Sequence, residues 1–324
     1  MRNSPLDIQP VAGALGAEIG GVDLSEDLSD AVIADIRQAL LDHCVIFFRN
    51  QNLNVDRHKA FVRRFGEIFI HPNFNGTQPD PEVVNVVRNP GDARIVGEKW
   101  HHDTTMAAEP PMGAVFYAIE VPPYGGDTMF ANQYLAYETL SDGMKAVLGE
   151  LRVKHTDIRI AGPQAGVSKS RTTAVREDAD WRETINYHPA VITHPETGRR
   201  ALFVNHSHCT AFEGMTEEES KPLLDYLLEH GHRPEFTCRF RYTPGSVAFW
   251  DNRCVKHIAV NDAGPYRRVA RRIQIQGSRP IKAADMNRSV ICILGGLGCA
   301  AEGFAKTIPP LIELGVALVI IGLI

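Results

Sequence analysis

The sequence predicts a mainly β chain with α-helical insertions, folded as a jelly roll. Two features carry that expectation. From Glu82 to Gln276, short apolar runs of strand length recur between turns rich in Gly, Pro, Asn and Asp. Helical periodicity is confined to a few separate segments. Many short strands with helices inserted between them suit a jelly roll, which leaves few exposed sheet edges. The 324 residues, 44% of them hydrophobic, suffice for one large core. There is no internal repeat.

In chain order, residues 8–48 open with short alternating strands that turn at Gly20-Gly21. Ser29 is an N-cap, and Val32, Ile33, Ile36, Leu40 and Leu41 then share one helical face. Residues 44–48 read as a buried strand. Asn54 caps a second helix through Phe65, with Ala60, Phe61 and Phe65 inward and Gly66 as its stop. Strands follow at 83–87 and 114–120, and residues 100–105 read as part of another. A turn at 122–127 leads into a strand at 128–130. Residues 134–140 and 144–151 are helical. The polar stretch 159–183 is long enough for a lid over a site. Thr216-x-x-Glu219 is a capping box for a helix to about His230. The last strands span 235–242, 246–250 and 269–276, with Pro244-Gly245 as a hairpin turn between the first two.

Composition excludes several classes. A net charge of −5 gives no basic footprint for nucleic acid. Six cysteines without Cys-x-x-Cys spacing argue against a disulfide framework and a zinc knuckle. The N-terminal residues 1–5 lack an apolar signal core, so a cytoplasmic location is expected.

The chemistry centres on Trp100-His101-His102-Asp103-Thr104-Thr105. On a strand, His101 and Asp103 point to one face, giving an imidazole and a carboxylate side by side. That is two-thirds of a facial iron site, with His102 facing away. Three His-x-acid pairs occur, and with thirteen histidines chance supplies such pairs. His194/Glu196 reads as a surface turn around Pro195, and His155/Asp157 lacks supporting neighbours. His101/Asp103 alone has Gly125-Gly126-Asp127-Thr128 one hairpin later. The candidate third ligand is His257, after Trp250-Asp251-Asn252-Arg253. Arg268 and Arg272 then share one strand face, opposite Val269, Ile273 and Ile275. A guanidinium kept inside a barrel needs an anionic partner, and its fork suits a carboxylate or sulfonate.

These motifs resemble the taurine dioxygenase / 2,4-dichlorophenoxyacetate dioxygenase family of iron(II)- and 2-oxoglutarate-dependent oxygenases, over roughly residues 8–280. The resemblance implies the double-stranded β-helix, a cupin-like jelly roll. It implies that His101, Asp103 and His257 bind Fe(II), and that Thr128 and Arg268 hold the distal carboxylate of 2-oxoglutarate. His71 and Arg272 match the residues that hold the substrate anion in taurine dioxygenase. The activity implied is hydroxylation with O2, releasing succinate and CO2.

Two departures argue against taurine itself. Phe74 and Gly97 stand where taurine dioxygenases carry polar partners for the amine, and neither side chain can hydrogen-bond an ammonium. His208 replaces an aromatic residue near Asn205. The expected substrate is a small organic anion without a required amine: a sulfonate, sulfate ester or aryloxyalkanoate. The catalytic domain is expected at 1–280 and an apolar extension at 281–324. Residues 290–301 and 311–324 are each shorter than the about 20 residues that span a bilayer, so membrane contact is expected only through 290–324. A homo-oligomer is expected. The rival readings are another metal serving a hydrolase or isomerase, and a non-catalytic jelly roll that binds metal or ligand.

Overall fold

The computed structural model describes residues 6–73, 80–162, 172–173 and 181–282. The chain starts with β1 (Asp7–Pro10) and β2 (Ala17–Gly20), a hairpin. Helix α1 (Asp30–His43) follows, with the Ser29 side chain accepting from the Val32 N–H. It buries Ile33, Ile36, Ala39 and Leu40. Cys44 ends it at φ +66 and leads into the fully buried β3 (Val45–Phe48). Helix α2 (Val55–Arg63) is capped by Asn54. Its inner side is His58, Phe61, Val62 and Phe65, while Ala60 is exposed, against expectation. The i, i+3, i+4, i+7 row is carried by the larger side chains, and Ala60 lies off it.

Next come β4 (Ile68–Phe69), β5 (Val84–Arg88), β6 (Gly113–Glu120) and β7 (Thr128–Asn132). Two helices, α3 (Gln133–Glu138) and α4 (Asp142–Glu150), precede β8 (Arg152–Thr156) and β9 (Ile185–Pro189). Then follow β10 (Val191–Thr193), β11 (Arg200–Leu202), β12 (Cys209–Phe212) and α5 (Glu217–His230). The Thr216/Glu219 capping box forms as the sequence predicts. The last described elements are β13 (Thr237–Phe240), β14 (Val247–Asp251), β15 (Val255–Ala259) and β16 (Arg268–Ile275).

An eight-stranded sheet has the order β1-β2-β3-β14-β6-β16-β4, with β5 also on β16. Smaller sheets are β13-β7-β15, β12-β8-β9 and β10-β11. Among the described residues this is a mainly β jelly roll of the double-stranded β-helix type, with helical insertions. One core cluster, including Phe47, Phe116, Phe130, Phe240 and Trp250, joins the large sheet to β7 and β13. A second packs α1 and α2 on the other side of the large sheet through Ile36, Phe61 and Phe249.

Three expectations are corrected here. Residues 100–105 are not a strand: His101 makes a single bridge to His257, and a turn follows. Pro244-Gly245 is not a hairpin turn. β13 pairs with β7 while β14 pairs with β3 and β6, so the turn carries the chain from one sheet to another, with Gly245 at φ +82. The His194/Glu196 segment does form a turn between β10 and β11 with Pro195 and Glu196 exposed, but His194 itself is not at the surface. His194 is fully buried and its Nε2 pairs with Asp251 Oδ2 at 2.9 Å. Arg253 joins Asp251 to Glu196, and Arg37 caps Glu196 from outside. His155 is likewise buried, against Thr105 Oγ1 at 2.8 Å. Most of 159–183, the expected lid, lies outside the described residues, as do Phe74 and 283–324. Among the described residues no helix is long and apolar enough to cross a membrane.

Candidate active site

His101 and His257 meet through a two-way backbone pair, His101 N–H to His257 O at 2.9 Å and His257 N–H to His101 O at 2.8 Å. That pair sets their rings 4.1 Å apart between centroids. Asp103 joins them from the turn after His101. Its Oδ1 lies 3.7 Å from His101 Nε2 and 3.8 Å from His257 Nε2. One ligand atom from each of the three falls within 4.8 Å of the others, and all three residues are buried. Two neighbours fix the turn. Asn252 Oδ1 accepts from the Asp103 N–H at 2.7 Å, and its Nδ2 donates to Asp103 O at 3.0 Å. Thr104 follows at φ +51, a conformation costly for a β-branched residue, which that clamp helps to hold.

Protonation suits a metal. His101 Nδ1 donates to Lys99 O at 2.7 Å, since a carbonyl can only accept, and this leaves Nε2 bare. Burial lowers the pKa of both His101 and His257, so both rings are neutral. Burial alone would raise that of Asp103, but the Arg272 guanidinium beside it outweighs burial and holds the carboxyl well below the usual range. Two imidazoles and a carboxylate on one side form a facial donor set. Asp103 Oδ2 is buried without a partner among the described residues, the kind of atom a bound ion satisfies. His102 is excluded from the set. Its ring lies against Phe203, 4.8 Å between centroids.

Two cavities adjoin the triad. The smaller, about 420 Å³, holds Arg268 and Thr128 beside His101 and His257. Arg268 is buried and its Nη2 has no partner among the described residues. The guanidinium rests over Phe116 and Tyr242, at 5.0 and 5.4 Å from the ring centroids. Asp127, the acid nearest in sequence to Thr128, is paired with Arg239 at 2.6 Å. A buried, uncompensated fork beside a hydroxyl calls for a carboxylate brought in from outside. Tyr242 donates to Thr128 Oγ1 at 3.1 Å and so orients that hydroxyl. The Gly125-Gly126 pair is needed for room: a Cβ on Gly125 would fall 2.5 Å from Asp262 O, and one on Gly126 3.2 Å from Arg268 Cδ.

The larger cavity, about 750 Å³, brings His71 beside His101 and Asp103, and Arg272 borders both cavities. Arg272 Nη1 donates to Asp103 Oδ1 at 2.8 Å. His71 Nδ1 accepts from the Asn73 N–H at 3.1 Å, which puts the ring proton on Nε2. Among the described residues the only acids lining this cavity are Asp103 and Glu98, and Glu98 is paired with Arg94. Gly97 has a physical reason to carry no polar group: its φ is +79 and a Cβ would sit 3.0 Å from His101 Cε1.

Each pair that the motifs predict is thus brought together. Pattern reading missed Lys99, Asn252 and Tyr242 as supports. Asn252 lay within a quoted motif but acts through backbone contacts that spacing does not display.

Comparison with known proteins agrees with this geometry. The family profile described as taurine catabolism dioxygenase TauD, TfdA family matches residues 7–274. The chain is 33% identical over 274 residues to an alkylsulfatase of Acinetobacter baylyi, covering 84% of this chain and 85% of that one. It is 32% identical over 278 residues to an alpha-ketoglutarate-dependent sulfate ester dioxygenase of Pseudomonas putida, covering 85% and 91%. A crystal structure of a taurine dioxygenase from Burkholderia xenovorans superposes with a TM-score of 0.72 at 37% identity, covering 86% and 92%. The donor set, the orphaned arginine and the matched length converge: the chain belongs to the TauD/TfdA family and is an Fe(II)- and 2-oxoglutarate-dependent dioxygenase.

Proposed function

We propose that this dioxygenase hydroxylates a small organic anion that needs no amine: a sulfonate, a sulfate ester or an aryloxyalkanoate. The observation that carries the substrate class is the larger cavity, where His71 and Arg272 are buried donors and, among the described residues, each lining carboxylate already has a cation partner. Relatives named for sulfate esters, sulfonates and phenoxypropionate support it.

His101 Nε2, a carboxylate oxygen of Asp103 and a His257 ring nitrogen hold the iron. Arg268 grips the distal carboxylate of 2-oxoglutarate with Thr128, whose hydroxyl Tyr242 orients. When bound, iron and 2-oxoglutarate supply the oxidation: O2 places one oxygen atom in a substrate C–H bond and the other in succinate, with loss of CO2. The protein's part is placement. His71 Nε2–H and Arg272 fix the anionic group, which brings the neighbouring C–H to the metal side. Phe116, Trp250 and Val96 line the smaller cavity and keep water from the reacting atoms.

The test is succinate formation with a panel of alkyl sulfates, alkyl sulfonates, aryloxyalkanoates and taurine. At least one anion lacking an amine should give coupled turnover; coupling with taurine alone would overturn the reading.

We further place the catalytic domain at 1–280, with 281–324 as a separate apolar extension, in a cytoplasmic homo-oligomer. The four described cysteines are buried thiols, the state that a reducing compartment keeps. Light scattering and fractionation of the full chain against one ended at residue 281 test these assignments.

A further inference from the structure

His208 faces the larger cavity and is 4% exposed. Its Nδ1 lies 3.1 Å from the Thr156 carbonyl oxygen. A carbonyl can only accept, so Nδ1 carries the proton. The ring is buried and has no acid paired to it, so it stays neutral, and Nε2 is a bare acceptor without a hydrogen-bond partner among the described residues. His71 has the opposite tautomer, proton on Nε2, because its Nδ1 accepts from Asn73. One cavity thus holds a histidine that donates and a histidine that accepts.

The charges around His208 decide what it can accept from. Arg94, Lys99, Arg159 and Arg272 surround the cavity. The two carboxylates there are taken, Glu98 by Arg94 and Asp103 by Arg272. Among the described residues a substrate ammonium would meet two cations left over from these pairs, Lys99 and Arg159, and no acid without a cation partner. A neutral hydroxyl or N–H meets no such repulsion and finds the His208 acceptor.

We propose that His208 is a specificity-determining residue: its Nε2 accepts a hydrogen bond from a neutral hydroxyl or N–H on the substrate whose anionic group His71 and Arg272 hold. The inference rests on the anion-binding function proposed above. It narrows the class to anions with a neutral donor on the carbon skeleton.

The test uses the full chain loaded with Mn(II) and 2-oxoglutarate without O2, so that binding is read without turnover. Calorimetry compares ethanesulfonate with 2-hydroxyethanesulfonate, propanesulfonate with 3-hydroxypropanesulfonate, and ethanesulfonate with taurine. In the native chain at least one hydroxyl should gain about 3- to 10-fold in affinity, the worth of one net hydrogen bond. Taurine should gain nothing. In His208→Phe the hydroxyl-to-parent ratio should fall to about one. Equal affinities within both hydroxyl pairs in the native chain overturn the proposal whether or not the variant folds. A hydroxyl preference that persists in His208→Phe also overturns it. Failure of the underlying function looks different: 2-oxoglutarate binds, but none of these anions does.

Discussion

Arg268 and Arg272 stand one helical turn apart in sequence but on the same face of β16, and both are buried. Their surroundings differ. Arg268 has Phe116 and Tyr242 around it and an orphaned Nη2; Arg272 already donates to Asp103. The first charge has no ion-pair partner among the described residues until a ligand arrives. The second is compensated by a candidate metal ligand, so any substrate anion shares it with Asp103. The same residue type thus serves as a socket in the smaller cavity and, where Arg272 borders both cavities, as a brace with a spare edge.

The largest effect should come from the socket. Arg268→Ala should weaken 2-oxoglutarate binding by about 100-fold or more, the order expected when one partner of a buried charge pair is lost. Anaerobic titration of the Fe(II)-loaded chain reads this. A loss under tenfold would mean that the carboxylate sits elsewhere. Arg272→Ala should raise the KM for the substrate anion by about 10- to 100-fold and move the 2-oxoglutarate affinity far less. If both affinities fell together, the two arginines would not be divided between two ligands.

Asn252→Ala sharpens the comparison from the Asp103 side. Without its clamp the turn at Thr104 loosens, and metal affinity should drop about 10-fold or more, as for other supports of metal ligands. Chelator competition measures it, and His102→Ala should leave metal affinity near native in the same assay.

The smallest effect is a shared pH dependence. Burial, with Arg271 beside it, holds His58 down to about 3, and burial holds His206 and His208 to about 4. These folded values lie below the unfolded value of about 6.5. The unfolded chain therefore takes protons that the folded chain refuses. This stability is present above about pH 6.5 and is lost as pH falls toward 4. Calorimetric Tm should decline across that window; a flat profile would contradict the buried neutral state of these rings.

Much of the site was legible in the sequence because its chemistry lies in side-chain type and order. His101, Asp103, His257, Arg268 and Arg272 sit where the motifs put them. The local geometry was less legible. Residues 100–105 are β-branched and aromatic enough to read as a strand, yet a tertiary pairing with β15 leaves His101 a single bridge and bends Asp103 into place. The turn around Pro195 forms as its sequence suggests, yet the His194 side chain leaves the surface to pair with Asp251, far along the chain. Pairings between distant segments decide both cases, and periodicity carries no trace of them. His208 shows the same limit: its residue type was visible, but its tautomer depends on Thr156 O.

The most direct measurement is anaerobic addition of 2-oxoglutarate to the Fe(II)-loaded chain, followed by the visible metal-to-ligand charge-transfer band. The band should form in the native chain and in Arg272→Ala, require far more 2-oxoglutarate in Arg268→Ala, and vanish in His257→Ala. No band in the native chain, or an undiminished band in His257→Ala, would contradict the assignment of the triad and the Arg268 socket.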